Sequence, residues 1–338
     1  MTYSLEPMRH AATGYESIPQ DKLLADPSIS ELLDMLTYCR PARGLYEKTF
    51  INRFLHPLGA EPDDFGNYWL TVDDAPILWS SHTDTVHRED GLQSVTVGDG
   101  VAYAEKSSCL GADDTAGVWL MMQMIRAGVS GTYVFHREEE VGGHGSIFVN
   151  RNFANDLAAY KCAIALDRKG YGDVLTHQMG SRCCSDAFAE SLSSILGGRY
   201  APDDGGVFTD TYHYRDNVGE CVNISVGYHM QHGPNETLDL AFVSRLRDVL
   251  LAADWSHLVF DREPGEKERE DLDRYAAFKG YGYGGTASRW EDYDDEDLSD
   301  LAKFVEEEGA TVAAYLQDRG VTIHDLEQFY FKRMAEKG

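Results

Sequence analysis

His82-Thr-Asp84, Asp113-Asp114, Glu139-Glu140, Asp167 and His232, the last within His-Gly-Pro-Asn-Glu236, form an ordered series of metal-type ligands. Most of them close an apolar, β-like run. Imidazole nitrogens and carboxylate oxygens suit borderline cations such as zinc, and two histidines with three carboxylates are enough donors for two ions. One glutamate is then left over as a base. Two such ions about 3.5–4 Å apart would share a water, lower its pKa and polarise a carbonyl, which is metal-assisted hydrolysis.

Each motif has a bland reading beside the chemical one. The run Ile77-Leu-Trp-Ser-Ser-His82-Thr-Asp84 places residues two apart on the same side of a strand, so Asp84 can hold one imidazole nitrogen while the other faces a metal. A His-x-Asp pair alone is equally a structural histidine. Asp113 and Asp114 lead into an apolar helix stopped by Gly128, so they could cap that helix, bridge cations, or do both. Glu138, Glu139 and Glu140 follow an apolar strand and precede two glycines; clustered carboxylates are costly unless a cation or solvent compensates them. Asp167 ends the run Cys162-Ala-Ile-Ala-Leu, where a lone acid would otherwise read as a cap or loop residue. His229 and His232 are three apart, so in extended chain they face opposite sides and one of them is expected to coordinate. Five such motifs in order, nearly all after strands, point to the carboxyl edge of a sheet, where α/β proteins place ligands.

The elements that must position these residues are legible in outline. Residues 1–28 read as polar and irregular, and Ser28 stands as a capping serine before apolar residues at helical spacing. A second helix is expected over 47–58. Strands are expected at 68–72, 76–80, 133–136, 162–166 and 222–226, with a hairpin over 94–104 and helices starting near Asp114, Asp186 and Leu238. This alternation predicts an α/β protein: a three-layer sandwich with a mixed, mostly parallel central sheet, plus a small C-terminal helical extension. The domain reading is a catalytic domain over 1–260, a charge-dense and glycine/tyrosine-rich linker over 261–290, and an acidic helical tail over 291–338. The tail opens with acidic residues at 291, 292, 294, 295, 296, 297 and 300, the pattern of a solvated helix start.

Bulk properties narrow the partners. With 338 residues, 43% of them hydrophobic, the chain can bury a large core. A formal net charge of -27 repels nucleic acid phosphates and anionic membranes, so neither is expected as a partner. The six cysteines form no CxxC pair and several lie in apolar runs, which suggests reduced thiols. No stretch approaches the roughly 18 apolar residues of a membrane span. The opening residues lack a basic start followed by an apolar block, so a cytoplasmic protein is expected.

The segments Ser81-His-Thr-Asp-Thr-Val, Leu110-Gly-Ala-Asp-Asp-Thr-Ala-Gly, Glu139-Glu-Val-Gly-Gly, Asp167 and His232-Gly-Pro-Asn-Glu resemble the clan of dinuclear zinc exopeptidases, which includes leucyl-type aminopeptidases, peptidase T and carboxypeptidase-like deacylases. The likeness spans roughly residues 28–260. It implies that His82 and Asp167 bind one zinc, that Glu140 and His232 bind the other, and that Asp113 bridges them, with cobalt or manganese as alternative metals. Glu139 would be the general base and Asp84 the orienter of His82, and the Asp113–Asp114 peptide bond would be cis. Several branches of the clan insert a lid or dimerisation domain, but 65 positions separate Asp167 from His232 and 31 separate His82 from Asp113, leaving no room for one. The compact, lidless aminopeptidase type is therefore implied, with short peptides or amino-acid amides as substrates and a homo-oligomer possible. The alternative is a deacylase or carboxypeptidase acting on N-acyl amino acids, which needs a cation for the substrate carboxylate; Arg168, Arg182 and Arg215 are the candidates. A third reading is a noncatalytic binding protein on the same scaffold.

Overall fold

The structure, a computed structural model, describes residues 18–266. The tail expected over 291–338 and all but the first residues of the linker lie outside the described residues. Among the described residues the main sheet has eight strands, in chain order β1 (Glu61–Pro62), β2 (Tyr68–Val72), β3 (Ile77–His82), β4 (Gly131–His136), β5 (Cys162–Arg168), β6 (Asp173–Leu175), β7 (Ala201–Asp203) and β8 (Glu220–Ser225). Their spatial order is β7-β6-β8-β5-β3-β4-β2-β1. The central four, β8, β5, β3 and β4, run parallel. β2 joins β4 antiparallel and β6 joins β8 antiparallel, so the sheet is mixed around a parallel centre.

Why these runs become central strands follows from their burial. β3, β4 and β8 are buried at every position, the pattern of strands covered on both faces rather than alternating between core and water. Alternate residues go to opposite layers. Trp79, Tyr133, Ile164 and Val222 enter one apolar cluster, while their neighbours Leu78, Val134, Ala163 and Cys221 enter a second. The larger cluster is completed by helices α1 (Pro27–Met35), α3 (Ala112–Ala127), α5 (Asp186–Ile195) and α6 (Leu240–Ala252), and the smaller by Val149 of α4 (His144–Asn152) with Tyr214 and Val218. The result is the three-layer α/β sandwich expected from the sequence.

A second, four-stranded sheet pairs Tyr228–His229, Thr237–Asp239, Val101–Ala104 and Val95–Gly98 in that order. The expected hairpin is there, closed by Asp99 and Gly100 at φ 51° and 73°. Two left-handed residues match the right-handed twist of the strands, which is why an Asp-Gly pair suits the turn.

Local boundaries differ from the sequence reading in ways that have physical reasons. α1 is capped by Asp26, whose side chain accepts from the Ser28 N–H at 2.9 Å, and Ser28 is inside the first turn. Pro27 causes the shift, because it fixes the first helical φ and pushes the preceding residue into the extended conformation that a cap needs. A further helix, Gln20–Leu24, occupies part of the stretch read as irregular. The helix expected over 47–58 begins at Leu45 and continues through a wide turn, Ile51–Leu55, and a tight one, His56–Leu58, before Gly59 ends it at φ 86°. α6 begins at Leu240 rather than Leu238, since Leu238 still pairs with Ala102 and Asp239 is the cap. All six cysteines are buried, and none is in a disulfide. Among the described residues, no helix is long and apolar enough to cross a membrane.

Candidate metal centre

The parallel strands β3, β4 and β5 deliver their last residues to one edge of the sheet. β3 ends at His82, the chain reaches Glu139 and Glu140 just past the end of β4, and Asp167 lies one residue before the end of β5. Asp113 comes from the turn entering α3, where the Asp113–Asp114 peptide is cis and neither residue has helical φ/ψ. Regular helix therefore starts after Asp114. His232 follows the short strand Tyr228–His229.

These side chains converge. His82 Nε2 lies 3.2 Å from Asp113 Oδ1 and 3.7 Å from Asp167 Oδ1. His232 Nε2 lies 3.2 Å from Asp113 Oδ2 and 3.1 Å from Glu140 Oε2. The donor atoms of His82, Asp113 and Asp167 fall within 4.8 Å of one another, and so do those of Asp113, Glu140 and His232. Two candidate metal-binding groups thus share one carboxylate, Asp113, with one of its oxygens turned to each group.

The surrounding contacts orient the donors. His82 Nδ1 donates to the backbone carbonyl of Asp84 at 3.0 Å, which aims Nε2 at the carboxylates. The Asp84 carboxylate stands farther off, at 3.5 Å, and accepts instead from the N–H groups of Glu139 and Glu140, at 3.1 Å each. Asp84 thereby holds the turn that carries both glutamates. Both oxygens of Asp167 accept hydroxyl hydrogen bonds, from Thr209 at 2.6 Å and Tyr228 at 3.1 Å. Its backbone is clamped on both sides by the Asn223 amide, at 2.9 and 2.7 Å. Arg40, fully buried, donates to the Thr83 carbonyl and the Thr115 hydroxyl, joining the end of β3 to the start of α3.

Charge in this pocket is poorly balanced by the chain itself. Burial drives Glu139 and Asp114 well above the usual carboxyl range, and neighbouring carboxylates add to the effect. Burial, then the Asp113 charge, pushes Glu140 up to about 7. Burial also works to raise Asp113, but the His232 and His82 imidazoles outweigh it and hold that carboxyl low. His232 is correspondingly raised to about 10 by Asp113 and Glu140. Burial opposes protonation of His82, yet Asp113, Asp167 and Asp84 carry it well above its ordinary value. The carboxylates thus favour a positive charge on both imidazoles, and each imidazole must be neutral to ligate a metal. Glu140 Oε1 is buried with no hydrogen-bond partner. An oxygen-and-imidazole donor set, an orphaned carboxylate oxygen and a surplus of buried negative charge together fit divalent cations.

Several residues of this region escaped sequence reasoning. Thr209 and Asn223 serve Asp167 from distant segments, and no spacing pattern marks them. Asp210 is 1% exposed, lies 3.3 Å from His136 Nδ1 and is pushed up to about 7 by burial. His229, the alternative to His232, packs edge-on against Tyr171 with ring centroids 4.5 Å apart. The three arginines named for a substrate carboxylate are otherwise engaged. Arg168 pairs with Asp173 at 3.0 Å, Arg182 with Asp186 at 2.8 Å, and Arg215 lies over the Tyr212 ring at 3.8 Å.

Comparison with solved structures agrees with the fold. Aminopeptidase PepT from Bacillus cereus superposes with a TM-score of 0.55 at 16% identity, covering 70% of this chain and 98% of that one. A tripeptidase from Staphylococcus aureus gives a TM-score of 0.56 at 13% identity, covering 70% and 98%. An aminopeptidase from the archaeon Desulfurococcus kamchatkensis gives 0.53 at 15% identity, covering 67% and 94%. The chain therefore shares the α/β fold of these solved structures. No protein-family model matches the chain, and no curated protein matches it in sequence.

Proposed function

We propose that the protein is a metal-dependent aminopeptidase that removes residues from the free amino terminus of short peptides or cleaves amino-acid amides. The observation that carries this reading is Asp113, set between His82 and His232 with one oxygen towards each. His82 and Asp167 would hold one zinc, Glu140 and His232 a second, and Asp113 would bridge them; cobalt or manganese would suit the same donors. When bound, the ions would polarise the scissile carbonyl and make the attacking water more acidic. Glu139 takes the proton from that water and delivers it to the amine nitrogen as the C–N bond breaks, so the base returns to its starting state. Asp84 keeps Glu139 within reach by binding its backbone N–H. The acidic pocket receives the substrate ammonium, and the engaged state of Arg168, Arg182 and Arg215 weighs against recognition of a substrate carboxylate.

The aminopeptidase likeness favours homo-oligomers, since the Pyrococcus horikoshii TET1 peptidase, with a TM-score of 0.52 at 16% identity, assembles into a tetrahedron or a large octahedral shell. Six buried cysteines outside any disulfide favour a reducing compartment such as the cytoplasm. The test of the function is a pair of chromogenic substrates with zinc added: an aminoacyl anilide and an N-acylated amino acid. Cleavage of the anilide is expected, and cleavage of the acylated substrate alone would make the enzyme a deacylase.

A further inference from the structure

Glu236 belongs to neither ligand group, yet it is 2% exposed and its carboxylate is completely committed. Oε2 accepts from the N–H groups of Leu110 and Gly111 at 2.9 Å each, and Oε1 accepts from the Asp113 N–H at 3.0 Å. The three donors lead up to and include the shared ligand Asp113. The acceptor sits four residues past His232, on a different loop. Gly111 makes the arrangement possible, because its φ of +73° turns successive N–H groups towards one acceptor, and a Cβ there would lie 2.7 Å from the His87 ring.

We propose that Glu236 is a positioning residue for Asp113, tying the two loops so that both metal positions depend on one carboxylate that touches neither. The inference rests on the two-metal reading given above. Because Asp113 turns Oδ1 to His82 and Oδ2 to His232, displacing its backbone must disturb both groups. Loss of His232 itself would disturb one. Glu236→Gln keeps the size of the side chain but puts an amide NH2 against one set of backbone donors. Glu236→Asp keeps the charge and falls one methylene short.

The experiment uses the full chain, stripped of metal and titrated with zinc alone in a calorimeter, alongside thermal unfolding of the stripped protein. Glu236→Gln is expected to weaken zinc binding at both positions by about 10- to 100-fold, as for other groups that orient a ligand, with Glu236→Asp intermediate. His232→Ala is expected to lose one position. A loss in Glu236→Gln confined to one position, as in His232→Ala, would mean that Glu236 acts only through its own loop and would overturn the proposal. So would wild-type zinc affinity in either Glu236 variant, whatever happens to its unfolding midpoint; should Glu236→Gln fail to fold, Glu236→Asp decides. If the wild-type chain itself takes fewer than two zinc ions, it is the two-metal reading that has failed.

Discussion

Two buried regions of the molecule use carboxylates in opposite ways. Glu220, 0% exposed, accepts four hydrogen bonds: from the Ser185 N–H and hydroxyl at 2.7 and 2.8 Å, and from the Asp261 and Arg262 N–H groups at 2.8 Å each. It ties α5 and the end of the described chain to β8, and every oxygen is occupied by the fold. At the carboxyl edge of the sheet, Asp113, Glu140 and Asp167 crowd around two imidazoles, and Glu140 Oε1 has no donor at all. Burial costs a carboxylate the same solvation in both places, so the difference is in what compensates it. Glu220 is compensated by the chain. The edge cluster is compensated only in part, and that incompleteness separates a site from a staple.

The largest expected effect is on the base. Glu139→Gln should retain its metal and lose about 10²- to 10⁴-fold in kcat, the usual share of a general base. His82→Ala should lose metal as well as turnover; elemental analysis that found equal zinc loss in the two variants would erase the division of roles between them. Glu220→Gln sharpens the contrast from the other side. It strands buried donors, so it should cost about 1–3 kcal/mol of stability in denaturant melts while zinc content stays as in the wild type. Zinc loss there would blur the distinction between the two regions.

A smaller effect concerns Asp210, buried 3.3 Å from the His136 ring. Its carboxyl rises from an ordinary 3.8 to about 7, with burial as the main cause, so the folded chain keeps a proton that the unfolded chain releases. Its contribution to stability is full below about pH 3.8 and lost as pH climbs through about 7. Asp210→Asn should flatten that part of the stability-against-pH profile of metal-free protein. An unchanged profile would show that Asp210 titrates normally.

The parts of this architecture legible in the sequence are those written in local pattern. Apolar runs such as Ile77 to His82 and Gly131 to His136 announce central strands, and a polar residue at the end of such a run announces the sheet edge. The convergence of five motifs was visible for the same reason. Asp26 and Ser28 are both capping residue types, and only the Pro27 geometry decides between them. Asp84, two residues after His82, reads as a partner for the ring, and its carboxylate lies 3.5 Å from Nδ1; the spacing does not tell that the Asp84 backbone oxygen is closer, or that the same carboxylate holds the N–H groups of Glu139 and Glu140. Thr209, Asp210 and Asn223 were silent in the sequence. Thr209 and Asn223 reach Asp167 across the fold, from 42 and 56 residues away, and no periodicity encodes such a meeting.

The most direct test of the central claim is the number of zinc ions taken up per chain by metal-free protein, compared with the same titration of Asp113→Asn. Two ions in the wild type, with both weakened together in the variant, is the expected result. One ion or none in the wild type, or an Asp113→Asn chain that binds as the wild type does, would contradict a centre built on one shared carboxylate.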